Sequence, residues 1–451
     1  MKPKNDRVKL ASGLRFTTKC GHNGLITQLS GERLYAALDK TQHRALLSKE
    51  QLVSLTVRLS QDQMFSFSGN FTHHKGDLYE FQLSGDSAQV DLLRDLLGQI
   101  RKDQHISLCA AEDVESSDKF TGFERIHFVP EALPELDLDD IDTKVNFLGR
   151  TFDYPIWITG MTGGVSRGTT INQRLALAAA NHNIPMGIGS QRLGLDNPTY
   201  AEIFDVKRYA PGIFLIGNLG MAQLLARDYL EICKRAVGMI SADALAIHLN
   251  VIQEAVQVEG DRHFKHTLKR IESVCASSGV PIVVKEVGSG MSADTAKRLL
   301  DAGVAAIDVG GRGGTSWGYI EGLRGVTDDT LELGQIFRNW GIPTAYSLSA
   351  VKQIAGKTPI IATGGIRDGL TVAKAVALGA TFAGIGLPLM RAALSHESGP
   401  SEVVERLIRG LKITMLGSGA RSLRDLKHRI CLGHPLEKTF ESVVHQQSLQ
   451  N

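Results

Sequence analysis

Two glycine pairs at the ends of apolar runs, one of them beside an arginine, are the residues best suited to chemistry in this chain. The first lies in ATGGIRDG, residues 362–369. Gly364 and Gly365 carry no Cβ, so backbone N–H groups there can approach an anion closely, and Arg367 adds a charged fork. A helix starting at this point turns unpaired N–H groups and its positive dipole end toward the same anion. The next apolar run ends in GIGLP, residues 384–388, with Gly386 and Leu387 at a similar turn. One such turn reads as readily as a tight strand-to-helix connection. Two in succession favour a phosphate site.

Other clusters follow the same placement. GGRGGTSW (310–317) offers backbone donors, hydroxyls from Thr315 and Ser316, and an aromatic wall from Trp317. MTGG (161–164), GSQR (189–192), GNLG (217–220) and VKEVGSG (284–290) each close an apolar run. In HLNVIQE (248–254), His248 and Asn250 alternate along a strand and share a face. Glu254 offers a hard oxygen ligand of the kind Mg2+ takes together with substrate phosphate. A solvated carboxylate at a helix start is the plainer reading, and the sequence alone favours it. Arg101, Lys102 and His105 form a compact basic group able to clamp a diphosphate, or equally a solvated surface.

These clusters need a scaffold that brings strand ends together. Eight apolar runs, at 155–160, 184–189, 213–217, 244–248, 282–285, 305–309, 360–363 and 382–386, alternate with amphipathic stretches such as 172–180, 293–300 and 371–378. Continuous apolar runs suit parallel strands buried on both faces, and eight βα units suit a closed (β/α)8 barrel. The polar segment 101–149 is expected to wrap it, and 350–358 and 403–425 to add helices. Residues 1–99 read as a small α+β extension, with a helix over 32–59, strands at 64–71 and 78–83 around a turn at 73–77, and a closing helix at 90–100. The barrel domain is then 100–451.

Composition narrows the function. With 451 residues, a net charge of +2 and 22% charged residues, nothing calls for nucleic acid as a partner. No run approaches a membrane span, and the first residues lack the apolar core of a signal peptide. Five scattered cysteines, without a CxxC pair, fit a reduced cytoplasmic protein better than a disulfide framework or a zinc site.

RKDQHI, ALPE, FLG, MTGG, GSQR, GNLG, HLN with QE, VKEVGSG, GGTSW and ATGGIRDG occur in that order. From Arg101 to about Gly433 the chain resembles the type 2 isopentenyl-diphosphate isomerases. The resemblance implies a TIM barrel that uses reduced FMN, Mg2+ and NADPH as reductant, in a homo-oligomer, tetramer or octamer. It puts Gly160, Met161 and Thr162 under the flavin ring, with Ser190, Asn218, Lys285 and Thr315 around it. The phosphate falls on Gly364, Gly365, Arg367, Gly386 and Leu387. The substrate diphosphate falls on Arg101, Lys102, Ser190, Gln191 and Arg192. Gln253 lies near the alkene, with His248 and Asn250 lining the pocket, and Glu254 binds Mg2+. The reaction adds one proton to the substrate and removes another, which needs a positioned acid and base. Gln253 is a poor acid, and reduced flavin fills that gap, with Lys285 stabilising its anionic form. The 1–99 extension departs from the family pattern. Its expected roles are a lid, an assembly element, a docking module or an independent appendage.

Two rival enzymes on the same barrel lack their chemistry here. A 2-hydroxy-acid oxidase places a His base just before its GGR, where this chain has Asp308 and Val309. A nucleotide-oxidising barrel needs a cysteine in a glycine-rich loop after a strand, and none of the five is so placed. A flavin-binding regulator without turnover has no need of Glu254, Arg101 and Lys102.

Overall fold

The computed structural model describes residues 14–18, 23–30, 33–38, 52–58, 64–75, 78–84, 87–161, 163, 166–257, 260–325 and 328–432. The chain divides into two compact units. One comprises Met1–Ala111, Gln253–Asp261 and Gly318–Gln335, and the other Glu112–Ile252, Arg262–Trp317 and Ile336–Asn451.

The first unit opens with six strands, β1 (Leu14–Thr18), β2 (Asn23–Ser30), β3 (Arg33–Leu38), β4 (Leu52–Arg58), β5 (Met64–Lys75) and β6 (Leu78–Ser84). They pair in the order β1-β2-β3-β6-β5-β4, antiparallel throughout, and β1 pairs again with β4 to close a barrel. Closure leaves no open edge. The expected helix over 32–59 is therefore wrong: β3 and β4 occupy its ends, and 39–51 lie outside the described residues. Its leucines do fall at roughly helical spacings. Leu34, Ala36 and Leu38, and likewise Val53, Leu55 and Val57, also alternate with period two, and cross-strand pairing decides between the periods. The strands expected at 64–71 and 78–83 are present as β5 and β6. The turn expected at 73–77 is shorter, because β5 continues to Lys75, and residues 76–77 lie outside the described residues.

Helix α1 (Ser87–Ala111) follows. It runs past the expected end at residue 100 and carries Arg101, Lys102 and His105 on its last turns. The beginning of the 101–149 segment is thus helical rather than a polar wrap. No proline or glycine interrupts residues 99–111, so nothing stops the helix there.

The second unit bears out the eight-stranded barrel. Short strands β7 (Ile126–Phe128), β8 (Val145–Phe147) and β9 (Arg150–Phe152) precede it. The alternation then runs β10 (Ile156–Ile158), α2 (Ser166–Asn181), β11 (Met186–Gly187), α3 (Arg192–Asp196), β12 (Leu215–Gly220), α4 (Tyr229–Ile240) and β13 (Ala244–Leu249). It continues with α5 (Val251–Val256), α6 (Thr267–Ser277), β14 (Ile282–Glu286), α7 (Ala293–Asp301), β15 (Ala306–Asp308), α8 (Trp317–Arg324), α9 (Asp328–Ile336) and α10 (Thr344–Lys352), of which most of α5, α8 and α9 falls in the first unit. It ends with β16 (Ile360–Thr363), α11 (Gly369–Ala377), β17 (Phe382–Ile385), α12 (Leu387–Ser395), α13 (Gly399–Gly417) and β18 (Ile430–Leu432). Strands β10 to β17 are all parallel, and β17 pairs back to β10. Their apolar residues are buried because helices cover the outer face and side chains fill the inner one.

The hairpin β8–β9 packs Phe147 and Phe152 against the opening residues of the strands. Phe147 meets Trp157, Phe214 and Phe382 edge-on, with ring centroids 5.6, 5.9 and 5.4 Å away. That end of the barrel is plugged with aromatic rings, and the opposite, C-terminal strand ends are left for ligands. The helix expected at 350–358 is shifted: α10 starts after Pro343, whose fixed φ suits a helix entry, and ends at Lys352, while Gly356 turns with φ of 55°. Among the described residues no helix is long and apolar enough to cross a membrane.

Candidate active site

The C-terminal ends of β10, β14, β15, β16 and β17 open onto one pocket of about 490 Å3, part of it open to solvent. Nine of the twelve residues expected around the cofactor line it: Gly160, Met161, Lys285, Thr315, Gly364, Gly365, Arg367, Gly386 and Leu387. Thr162 lies outside the described residues. Ser190 and Asn218 are not among the lining residues.

The glycine pair after β16 is there for space and for backbone angle. Gly364 has φ of 122°, and a Cβ on it would sit 2.1 Å from the Gly311 carbonyl oxygen. Gly365, with φ of 75°, would bring a Cβ to 2.4 Å from Thr121. Only glycine fits both demands. Asp368 then caps α11, accepting the Thr371 N–H at 2.7 Å. Thr344 Oγ donates to the Gly364 carbonyl at 2.7 Å and ties the loop to α10. Thr159 Oγ, also in the lining, is buried without a hydrogen-bond partner. A polar ligand group at that point would satisfy it.

Charged groups of the wall are half-buried or buried. Lys285, at the end of β14, donates to the Glu286 carbonyl at 3.1 Å. Burial pulls its amine below the ordinary lysine range, against the opposing pull of Asp308 and Glu286. Glu286 accepts three successive N–H groups, those of Val287, Gly288 and Ser289, and so folds the VGSG loop around itself. Burial nonetheless pushes its carboxyl up to about 7. Asp308 is buried at the end of β15, where it accepts the Thr363 hydroxyl at 3.0 Å and the Gly310 N–H at 3.2 Å. Burial raises its pKa too, with Lys285 pulling it back.

Arg367 donates through Nη1 to the Ile366 carbonyl at 2.8 Å, and its Nη2 pairs with the Glu115 carboxylate. Glu115 has no motif around it, and sequence reasoning missed it. Thr363 was likewise missed as part of the wall, whereas Glu286 falls within the VKEVGSG cluster and Asp308 bonds to the wall residues Thr363 and Gly310.

Gln191 is placed differently from expectation. Its side chain is fully buried, accepting the Asn218 N–H at 2.8 Å and donating to the Ala236 carbonyl at 2.8 Å. One end of the amide bonds to β12 and the other to α4, so the expected diphosphate contact through this side chain is corrected to a framing role. Asn218 in turn donates to the Ile188 carbonyl, and its Oδ1 lies 2.8 Å from His248 Nδ1. It orients the His248 ring rather than lining the pocket. Asn250, two residues on, is buried, Ser190 is half-buried, and Arg192 at the start of α3 lies 3.4 Å from Asp196 at its end.

In the other unit a buried carboxylate organises the residues expected to work on substrate. Glu321 on α8 accepts from Gln253 Nε2 at 2.9 Å and from Arg324 Nε at 2.8 Å, and lies 2.9 Å from His105 Nε2. Burial raises the Glu321 pKa, but Arg324 and His105 outweigh it and hold the carboxyl well below the usual range. Burial lowers the His105 pKa, against the opposing pull of Glu321. The sequence contained one trace of this hub, an acidic residue four places after Trp317 in a helical stretch. Glu254 accepts the Asp261 N–H at 3.0 Å. Among the described residues no three His, Cys, Asp or Glu side chains gather as a metal cluster.

Comparisons with known proteins identify the family. A family model described as FMN-dependent dehydrogenase matches residues 102–194 and 229–432. An isopentenyl-diphosphate delta-isomerase from a Nostoc strain is 42% identical over 345 residues, 76% of this chain and 96% of that protein. Its namesake from Thermococcus onnurineus is 46% identical over 336 residues, 73% and 89% of the two chains. Among solved structures, a mandelate oxidase with benzoyl-formic acid is similar with a TM-score of 0.51 and 19% identity, covering 74% of this chain and 94% of that one. At that identity the likeness concerns the barrel alone.

Proposed function

The chain belongs to the FMN-dependent isopentenyl-diphosphate delta-isomerases, and on that premise we propose how its residues divide the work. The enzyme interconverts isopentenyl diphosphate and dimethylallyl diphosphate by moving a proton across an allylic system. One observation carries the cofactor assignment: nine expected residues from five strand ends line one glycine-crossed pocket. Such a pocket fits a planar ligand ending in a phosphate, and the partnerless Thr159 hydroxyl fits a ligand with polar edges. Gly364, Gly365, Arg367, Gly386 and Leu387 hold the phosphate in this reading. Gly160 and Met161 would hold the ring, together with Lys285 and Thr315. FMN, when bound and reduced, would supply protonatable nitrogens, which the Gln253 amide does not offer.

The substrate roles follow the same logic. Arg101 and Lys102 on α1 bind the diphosphate. Gln253 faces the alkene, its amide held in one orientation by Glu321. Glu254 would hold Mg2+, a hard cation bound by few carboxylates, whose charge would offset that of the diphosphate. His248 and Asn250 shape the pocket wall. NADPH as reductant, a cytoplasmic setting and a homo-oligomer complete the proposal. The isomerase is assigned to residues 100–451, with 1–99 as an extension.

The test is the absorption spectrum of the purified protein, followed by an isomerase assay with and without dithionite, and with Mg2+ or a chelator. The expected result is a flavin spectrum and turnover that requires both reduction and Mg2+. A colourless protein that does not take up FMN would overturn the cofactor assignment, and reduction-independent turnover would overturn the flavin's role.

A further inference from the structure

We propose that Glu115 is a built-in competitor for the cofactor phosphate: it holds the Arg367 guanidinium, and the phosphate monoester of FMN must draw Arg367 away from it. The inference rests on the reading that Arg367 meets that phosphate.

Three observations carry it. First, Arg367 lines the pocket, yet one Nη serves the Ile366 carbonyl and the other serves Glu115. The pocket therefore sees a nearly neutral ion pair instead of a free cation. Second, Glu115 is fixed in place. The Ser116 N–H donates to the Gly314 carbonyl at 2.9 Å and the Ser316 N–H to the Val114 carbonyl at 2.9 Å, so Glu115 is bridged to pocket residue Thr315. Arg338 also holds the Glu115 carbonyl at 2.7 Å. With only 13% of its side chain exposed, the carboxylate has little water to retreat into. Third, a substitute partner is at hand: Lys119 Nζ lies 3.9 Å from the other Glu115 oxygen.

A phosphate monoester carries about two negative charges near neutral pH. Sharing one guanidinium, it and Glu115 are like charges well inside a Debye length and poorly screened by water. Arg367 must then move toward the phosphate, leaving Glu115 to Lys119. The affinity for FMN is lower than the glycine cradle and arginine alone would give, which leaves the cofactor exchangeable. The competition acts through the phosphate alone, so a flavin lacking it does not sense Glu115.

The experiment titrates the FMN-stripped full-length chain with FMN and, separately, with riboflavin, following flavin fluorescence. Wild type, Glu115→Gln, Glu115→Ala and Arg367→Ala are compared. Glu115→Gln is expected to bind FMN on the order of tenfold tighter, the size of one charge-assisted bond released. Glu115→Ala is expected to change in the same direction, and riboflavin binding to stay constant in both. Unchanged or weaker FMN binding by both Glu115 variants overturns the proposal, and so does equal tightening of riboflavin. The underlying phosphate assignment fails separately, if Arg367→Ala leaves FMN affinity unchanged.

Discussion

At the scale of single residues, Glu321 shows how one side chain decides the work of others. It takes hydrogen bonds from Gln253 and Arg324 and faces His105, all with its carboxylate out of water. Removing one partner of a buried ion pair typically costs ~3–5 kcal/mol, so an alanine there tests folding more than chemistry. Glu321→Gln keeps the shape and one acceptor. It is expected to lower kcat about tenfold or more while FMN affinity stays at the wild-type level, read by steady-state kinetics beside flavin titration. Unchanged kcat would show that Gln253 needs no such partner. Glu286 supplies a pH prediction. Its folded pKa is about 7 against an ordinary 4.5, so the native state keeps a proton that the unfolded chain has lost. Its stabilising contribution is therefore full below about 4.5 and fades as pH rises to about 7. The Tm of Glu286→Gln minus that of wild type should grow over that interval and level off above it. A difference flat in pH would mean that the carboxyl is not protonated in the folded protein. Lys285, Gln253 and Arg367 were legible in motifs. Glu321 and Glu115 were not, because their partners His105 and Arg367 stand 216 and 252 positions away.

Elements explain why the glycine loops work together. Each loop follows a strand of one closed sheet, and the shared register brings all their ends to one face. The loop after β16 tolerates no Cβ at its first glycine. Gly364→Ala would put a methyl 2.1 Å from the Gly311 oxygen at a φ of 122°, so the loop has to shift. FMN affinity is expected to fall at least tenfold, with the far-ultraviolet circular dichroism spectrum preserved. Wild-type affinity in that variant would remove the phosphate from this loop. The eight barrel strands could be read from sequence because strands buried on both faces are apolar throughout. The span 32–59 could not. Leucines at mixed spacings satisfy a helical and an alternating pattern at once, and pairing of β3 with β2 and β6 settles the matter.

At the scale of the whole molecule, the six-stranded N-terminal barrel lies outside the residues that the family model matches. The family model starts at residue 102, and the Nostoc relative spans 76% of this chain. Helix α1 makes residue 98 a poor place to cut, since a truncation there divides a continuous helix carrying Arg101, Lys102 and His105. Removing residues 1–86 leaves α1 whole. That truncated chain is expected to bind FMN with unchanged affinity and to keep turnover within about threefold of the full chain, a difference of under ~1 kcal/mol. Loss of turnover with FMN still bound would make the extension part of the catalytic apparatus, and kinetics with mass measurement in solution separates a lid from an assembly element.

The sequence by itself determined the parallel barrel, the glycine loops that open at its strand ends, and the family. These rest on local rules: apolar runs, residues without a Cβ, and motifs in fixed order. Tertiary structure alone decided that 33–38 and 52–58 are strands of a closed antiparallel barrel, and that Gln191 is consumed in the frame. It alone brought Glu321 to Gln253 and Glu115 to Arg367. The physical reason is common to all four. A backbone N–H, an amide or a carboxylate must find a partner once water is excluded, and which partner is available depends on the packing of distant segments, a quantity no local pattern contains.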